Sequence, residues 1–139
     1  MSELSALAQA IQRHEEFIQL DPTNVGLGMT LGDLYHDAYR FDEAIATYRA
    51  CLAAKPDHAP ARSRLASVML SLHRFAEAEQ MLRELIDAGD PAPELRHNLG
   101  LALYFQRRWD DARQCFAQAA QAGLARPDTF GYWVRTLRQ

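Results

Sequence analysis

Residues 31–44, LGDLYHDAYRFDEA, return 34 positions later as 65–78, LASVMLSLHRFAEA, and again as 99–112, LGLALYFQRRWDDA, with no insertion between copies. Large and small apolar sites recur in fixed order: Tyr35, Met69 and Leu103; Phe41, Phe75 and Trp109; Ala44, Ala78 and Ala112; Tyr48, Leu82 and Phe116. Within the first copy, Leu27, Leu31, Leu34, Tyr35 and Ala38 fall on one stripe of a helix. After a short break, Phe41, Ala44, Ile45, Tyr48 and Leu52 form a second stripe, with Asp42 and Glu43 placed to complement the positive end of that helix. Pro56 closes the unit. Two antiparallel helices per unit, neither able to bury its stripe alone, must stack on neighbouring units, so the spacing predicts an all-α fold, an α-solenoid of antiparallel helix pairs. The small Ala44, Ala78 and Ala112 let the paired helices approach closely.

Composition agrees with this reading. The 139 residues include 23 Ala and 18 Leu but only 4 Ile and 3 Val, a core of good helix formers and poor strand formers. The length suits one domain. A formal charge of -3 lacks the basic excess of a nucleic-acid binder, and no stretch approaches the length of a membrane span, so neither partner is expected. The N-terminus has no basic start followed by an apolar run, and Cys51 and Cys115 show no disulfide or zinc spacing; a cytoplasmic setting without cofactor or metal is expected.

A 34-residue helix-turn-helix unit with Leu31-Gly32, Tyr35, Ala44, Tyr48 and a closing Pro56 resembles the tetratricopeptide repeat. Residues 25–58 match the family pattern best. Residues 59–92 keep Leu65, Ala66, Ala78 and Leu82 but carry Asp90 where the proline would stand, and residues 93–126 keep Leu99, Gly100, Ala112, Phe116 and Ala119. The bulky aromatic that the family places near the start of each first helix is replaced by Gly28, Arg62 and Arg96. Residues 1–24 read as the second helix and closing turn of an incomplete unit. Residues 127–139 read as a capping helix opened by Pro127, with Phe130, Trp133, Val134 and Leu137 turned inward and Asp128, Arg135 and Arg138 in water.

The resemblance implies a protein that holds a peptide or helix of a partner on the side of the first helices turned away from the core stripe. There the repeat aligns Met29, Ser63 and His97; Asp33, Ser67 and Leu101; His36, Leu70 and Tyr104; and Asp37, Ser71 and Phe105. Arg64 and Asn98 complete the candidate set. The columns pass from acidic through hydroxylated to apolar and aromatic, and Leu101, Tyr104 and Phe105, being large apolar groups off the core stripe, mark a contact surface. Relatives that clamp the acidic tail of chaperones use Lys and Asn on the first two first-helices and Lys with Arg on the third. The matching places here hold Met29, Asp33, Arg64, Glu94 and Asn98, of which only Arg64 would help, so that clamp is not expected.

Charge adds a second asymmetry: residues 1–95 hold 8 basic and 15 acidic side chains, whereas residues 96–139 hold 7 basic and 3 acidic. Such polarity suits oriented docking of a charged partner or head-to-tail contact between copies. Catalytic readings fail on spacing. Gly26, Gly28 and Gly32 give G-x-G-x-x-x-G with no preceding strand and no following Lys-Ser/Thr, and His14-Glu15-Glu16 has Ile18 where a zinc helix needs its second histidine. Asp33, His36 and Asp37 are explained by an exposed polar helix face, and no Ser or Cys has a recognisable base and orienter, so an enzyme is not expected. Two functional readings follow: an interaction scaffold with a groove for another protein, and, as the alternative, a self-associating module or secretion-type chaperone that dimerises through its N-terminal helix.

Overall fold

The computed structural model describes residues 3–124 and 126–138; of the expected segments, residues 1, 2, 125 and 139 lie outside this set. Among the described residues there are eight helices and no strand: α1 (Glu3–Leu20), α2 (Val25–Asp37), α3 (Phe41–Ala54), α4 (Ala59–Ser71), α5 (Phe75–Asp87), α6 (Pro93–Tyr104), α7 (Trp109–Gln121) and α8 (Pro127–Thr136). The chain divides into two compact units, Met1–Val68 and Met69–Gln139, with the division inside α4.

In the first unit α1 packs on α2 and α2 on α3. Asn24 caps α2, its Oδ1 accepting from the Leu27 N–H at 3.0 Å, which satisfies one of the donors a helix start leaves open. Arg40, just ahead of α3, grips Glu43 in the first turn through two bonds of 2.6 Å. The two helices come close because Gly32 has no side chain: a Cβ there would lie 2.4 Å from the ring of the fully buried Tyr48. A Cβ at Gly28 would meet the Cys51 sulfur at 2.5 Å.

In the second unit α5 packs on α6, α6 on α7, and α8 on α7 and α6. The same device recurs, with Gly100 receiving the buried ring of Phe116, where a Cβ would come within 2.6 Å. Ala78 and Ala112 are fully buried, as is Ala44 in the first unit. Pro93 and Pro127 occupy the first turns of α6 and α8, where a missing N–H costs nothing.

Every turn from a first to a second helix uses a left-handed residue that is not glycine: Tyr39, His73 and Arg107, with φ of 59°, 59° and 63°. Each ends its helix in a Schellman arrangement. The next residue's N–H bonds back five positions, Arg40 to the Tyr35 carbonyl, Arg74 to Met69 and Arg108 to Leu103.

The last helix departs from expectation. Phe130, Val134 and Leu137 are 48%, 47% and 60% exposed, while Thr129 and Thr136 are fully buried. The reason lies in the repeat: an offset of 34 puts Thr129 on Leu95 and Thr136 on Ala102, both buried residues of α6. α8 therefore seats itself as one more first helix, and of the stripe read as the inward face of a cap Phe130, Val134 and Leu137 point to solvent while Trp133 is half-buried.

Candidate functional site

The first-helix residues singled out above fall in both units. In the first unit Asp33 and Arg64 meet, Arg64 Nε donating to Asp33 Oδ1 at 3.1 Å. The same carboxylate oxygen accepts the Tyr48 hydroxyl, and burial followed by this bond to Asp33 pushes the Tyr48 phenol far above its ordinary range. Asp33 is thus the acceptor that lets a tyrosine sit in the core, and the one cation in a clamp-like position is spent on it. Met29, Ser63 and Ser67 are half-buried, with the Ser67 hydroxyl donating to the Ser63 carbonyl at 3.2 Å. His36 is half-buried, edge-on to Phe41 with centroids 5.5 Å apart.

In the second unit the structure corrects the placement of His97. Only 1% exposed, its ring lies beneath α8, with Nδ1 2.8 Å from the Thr129 hydroxyl and Nε2 3.5 Å from Asp128. Burial holds its pKa below the usual histidine value against the opposing pull of Asp128. A neutral ring then accepts from Thr129 at Nδ1 and presents an N–H to Asp128 at Nε2. The residue is a joint between α6 and α8 rather than an open contact.

Leu70, Asn98, Leu101 and Tyr104 are half-buried, and Phe105 is 48% exposed. Tyr104 and Phe105 belong to an aromatic cluster. Tyr104 packs edge-on against Phe105, Trp109 and Tyr132 at 5.1–5.2 Å, and Phe105 stacks on Phe75 at 5.1 Å with 14° between planes. Tyr132 on α8 also reaches the edge of Phe105 at 5.9 Å. The last helix therefore covers this patch in part and leaves one side of Phe105 in water. Phe75, Trp109 and Tyr132 were not read as site residues; the recurrence of an aromatic at positions 41, 75 and 109 was the available signal.

Beside the cluster Glu79 gathers Arg108, Arg83 and Gln106, and these donors hold its carboxyl below the usual range although burial opposes them. A cleft of about 280 Å³ in this unit is lined from α5, α6 and α7, Arg83, Arg96 and Cys115 among its residues. Both cysteines are free and buried, and burial raises both thiols, so they stay protonated at neutral pH. Among the described residues no group of three or more His, Cys, Asp or Glu side chains is placed to hold a metal ion, and no helix is long and apolar enough to cross a membrane.

Residues 36–97 and 94–122 match sequence profiles described as tetratricopeptide repeat, together well over half of the chain. The human tetratricopeptide repeat protein 7B is 28% identical over 120 residues, 86% of this chain and 14% of that protein. The mouse protein of the same name is 31% identical over 80 residues, 58% of this chain and 10% of its own length. The chain thus spans roughly a seventh or less of these relatives. Among solved structures, MamA residues 41 to the end from Desulfovibrio magneticus RS-1 superposes with a TM-score of 0.84 at 15% identity, over 95% of this chain and 75% of that one. The thermophilic protein TTC0263 of Thermus thermophilus gives 0.81 at 20%, over 99% and 76%. YrrB, described as having an unusual peptide-binding site, gives 0.74 at 19%, over 97% and 70%.

Proposed function

Because this chain belongs to the tetratricopeptide-repeat family, a family of interaction modules, we propose that it is a non-enzymatic scaffold holding a peptide or helix of another protein on the first-helix face of α6. The anchors are Leu101, Tyr104 and Phe105. One observation carries this reading: Phe105, braced by Phe75 and Tyr104, keeps about half of its surface in water. An aromatic held rigid by its neighbours and left open on one side binds with little loss of side-chain freedom. That YrrB, of the same fold, is described as having a peptide-binding site supports the class of partner. In the first unit His36, Ser63, Ser67 and the Asp33–Arg64 pair, beside the apolar Met29, supply polar groups suited to hydrogen-bonding an extended backbone. Two unpaired, buried thiols suit a cytoplasmic setting.

The test compares proteins retained from a lysate by the wild-type chain, by Leu101→Asp and by Tyr104→Ala, with helical content checked by circular dichroism. A partner held by the wild type and lost from both variants at unchanged helicity is expected, with truncation of an anchor costing about 2 kcal/mol of binding. Equal retention by all three moves the site off this face.

A further inference from the structure

Two half-open helix faces in this chain match each other in register. On α8 the exposed Phe130, Val134 and Leu137 occupy, by the offset of 34, the positions of Arg96, Gly100 and Leu103 on α6. Those positions look toward α7: Gly100 lies under the Phe116 ring and Arg96 reaches Gln118. The stripe on α8 thus faces the place that a second helix takes in the α6–α7 pair. On α1 the offset equates Leu7, Ala10, His14 and Phe17 with Phe41, Ala44, Tyr48 and Cys51 of α3. That is the side α3 turns to α2, where Tyr48 meets Gly32 and Cys51 meets Gly28. On α1 it is open, with Leu7, Ala10 and His14 half-buried and Phe17 45% exposed. We propose that α8 of one copy docks antiparallel along α1 of a second copy, the two together forming a helix pair with the register of α2–α3 and α6–α7.

Register and charge support the match. Pairing Gly28 with Cys51 and Gly32 with Tyr48 translates into Phe130 against Phe17 and Val134 against His14. The internal pairs carry glycine at these places because a Cβ would overlap the ring or sulfur opposite, so the docked pair, with valine against imidazole and phenyl against phenyl, keeps the register at a wider helix spacing. The same register brings Arg126 opposite Asp21. Glu15 is directed at Tyr35 on its own α2, and the register sets Arg135 and Arg138 beside Arg13 and Ala10, so the opposite charges this docking brings together are Arg126 and Asp21. Opposite charge at the rim orients the encounter. Because the two faces differ, the contact is heterologous, and a chain with both faces free can add copies at either one. Leu101 and Tyr104 take no part, so this assembly stands apart from the partner-binding face.

Sedimentation velocity on the full chain over a range of concentrations tests the proposal. The wild type is expected to grow past the dimer as concentration rises, and Phe17→Asp and Val134→Asp, each at a half-exposed position, to stay monomeric with unchanged circular dichroism. Mixed one to one, these two variants should form a heterodimer of twice the monomer mass and nothing larger, since one intact face remains on each. Arg126→Glu should weaken association up to about fivefold and Arg126→Glu with Asp21→Arg restore it, a check that needs no change in the apolar stripe. A wild type that stays monomeric overturns the proposal, as does a mixture that fails to pair. A dimer surviving Phe17→Asp but lost in Val134→Asp overturns it too, by showing two α8 faces meeting.

Discussion

In α2–α3 a glycine receives a tyrosine, and in α6–α7 a glycine at the equivalent place receives a phenylalanine. The one hydroxyl that separates these pairs changes the surface above them. Tyr48 needs an acceptor, and Asp33 on α2 supplies it and draws in Arg64. Phe116 has no such need, and the residue at the place of Asp33 on α6 is Leu101. The character of each first-helix face thus follows from the ring buried beneath it: ionic over the tyrosine, apolar over the phenylalanine.

The largest effect comes from emptying one pair. Phe116→Ala removes a fully buried ring and should cost about 3–5 kcal/mol, measured as a lower urea midpoint. Exchanging the rings probes the comparison itself. Phe116→Tyr places a hydroxyl under Leu101 with no acceptor and should cost about 1–3 kcal/mol, of which the double variant Phe116→Tyr/Leu101→Asp recovers a large part. Tyr48→Phe, which leaves Arg64 as a donor to Asp33, should cost only about 1 kcal/mol. If the double variant recovers nothing, ring and face are independent and the comparison breaks.

The two units should also weaken at opposite ends of the pH scale. Burial and Asp33 raise the Tyr48 phenol above its ordinary value of 10.0, so the stability it gives is whole below that pH and is lost as pH rises beyond it. Burial lowers His97 below 6.5, against Asp128 and Glu94 and with Arg126, so the unfolded chain takes up its proton first and stability falls as pH drops below 6.5. Hydrogen exchange is expected to show α6 and α8 loosening in acid and α2 and α3 in alkali, and Tyr48→Phe should reduce the alkaline loss, to which the raised Tyr35 and Cys51 also contribute, and leave the acid loss unchanged.

The smallest effect concerns what the pairs share. Arg107 turns the chain in a left-handed conformation that costs a side-chain-bearing residue about 1–2 kcal/mol, so Arg107→Gly should stabilise by a few tenths to about 1 kcal/mol. Tyr39→Gly should give less, because the Tyr39 ring packs edge-on against Phe41 at 5.9 Å. Urea midpoints of the two variants give the comparison directly.

The repeat made helix order and pairing legible, because a fixed spacing of apolar residues reports which side of a helix must be buried. The periodicity could not report what lies against that side. The stripe on α8 was read inward because a lone apolar stripe usually faces a core, yet register with α6 set Thr129 and Thr136 there instead. His97 was read as open because it stands in line with Met29 and Ser63; only the presence of α8 across it, with a hydroxyl at bonding distance, buries it. Asp33 looked like a free acid because its two partners come from other helices, 15 and 31 residues along the chain.

Each compact unit also carries one buried thiol, Cys51 in the first and Cys115 in the second. Each sulfur is almost fully covered and burial disfavours its thiolate, so a disulfide reagent reacts fastest when the helix pair parts. The protein therefore contains two internal clocks. Timing the modification of each cysteine separately reads how often either half breathes, without any foreign probe.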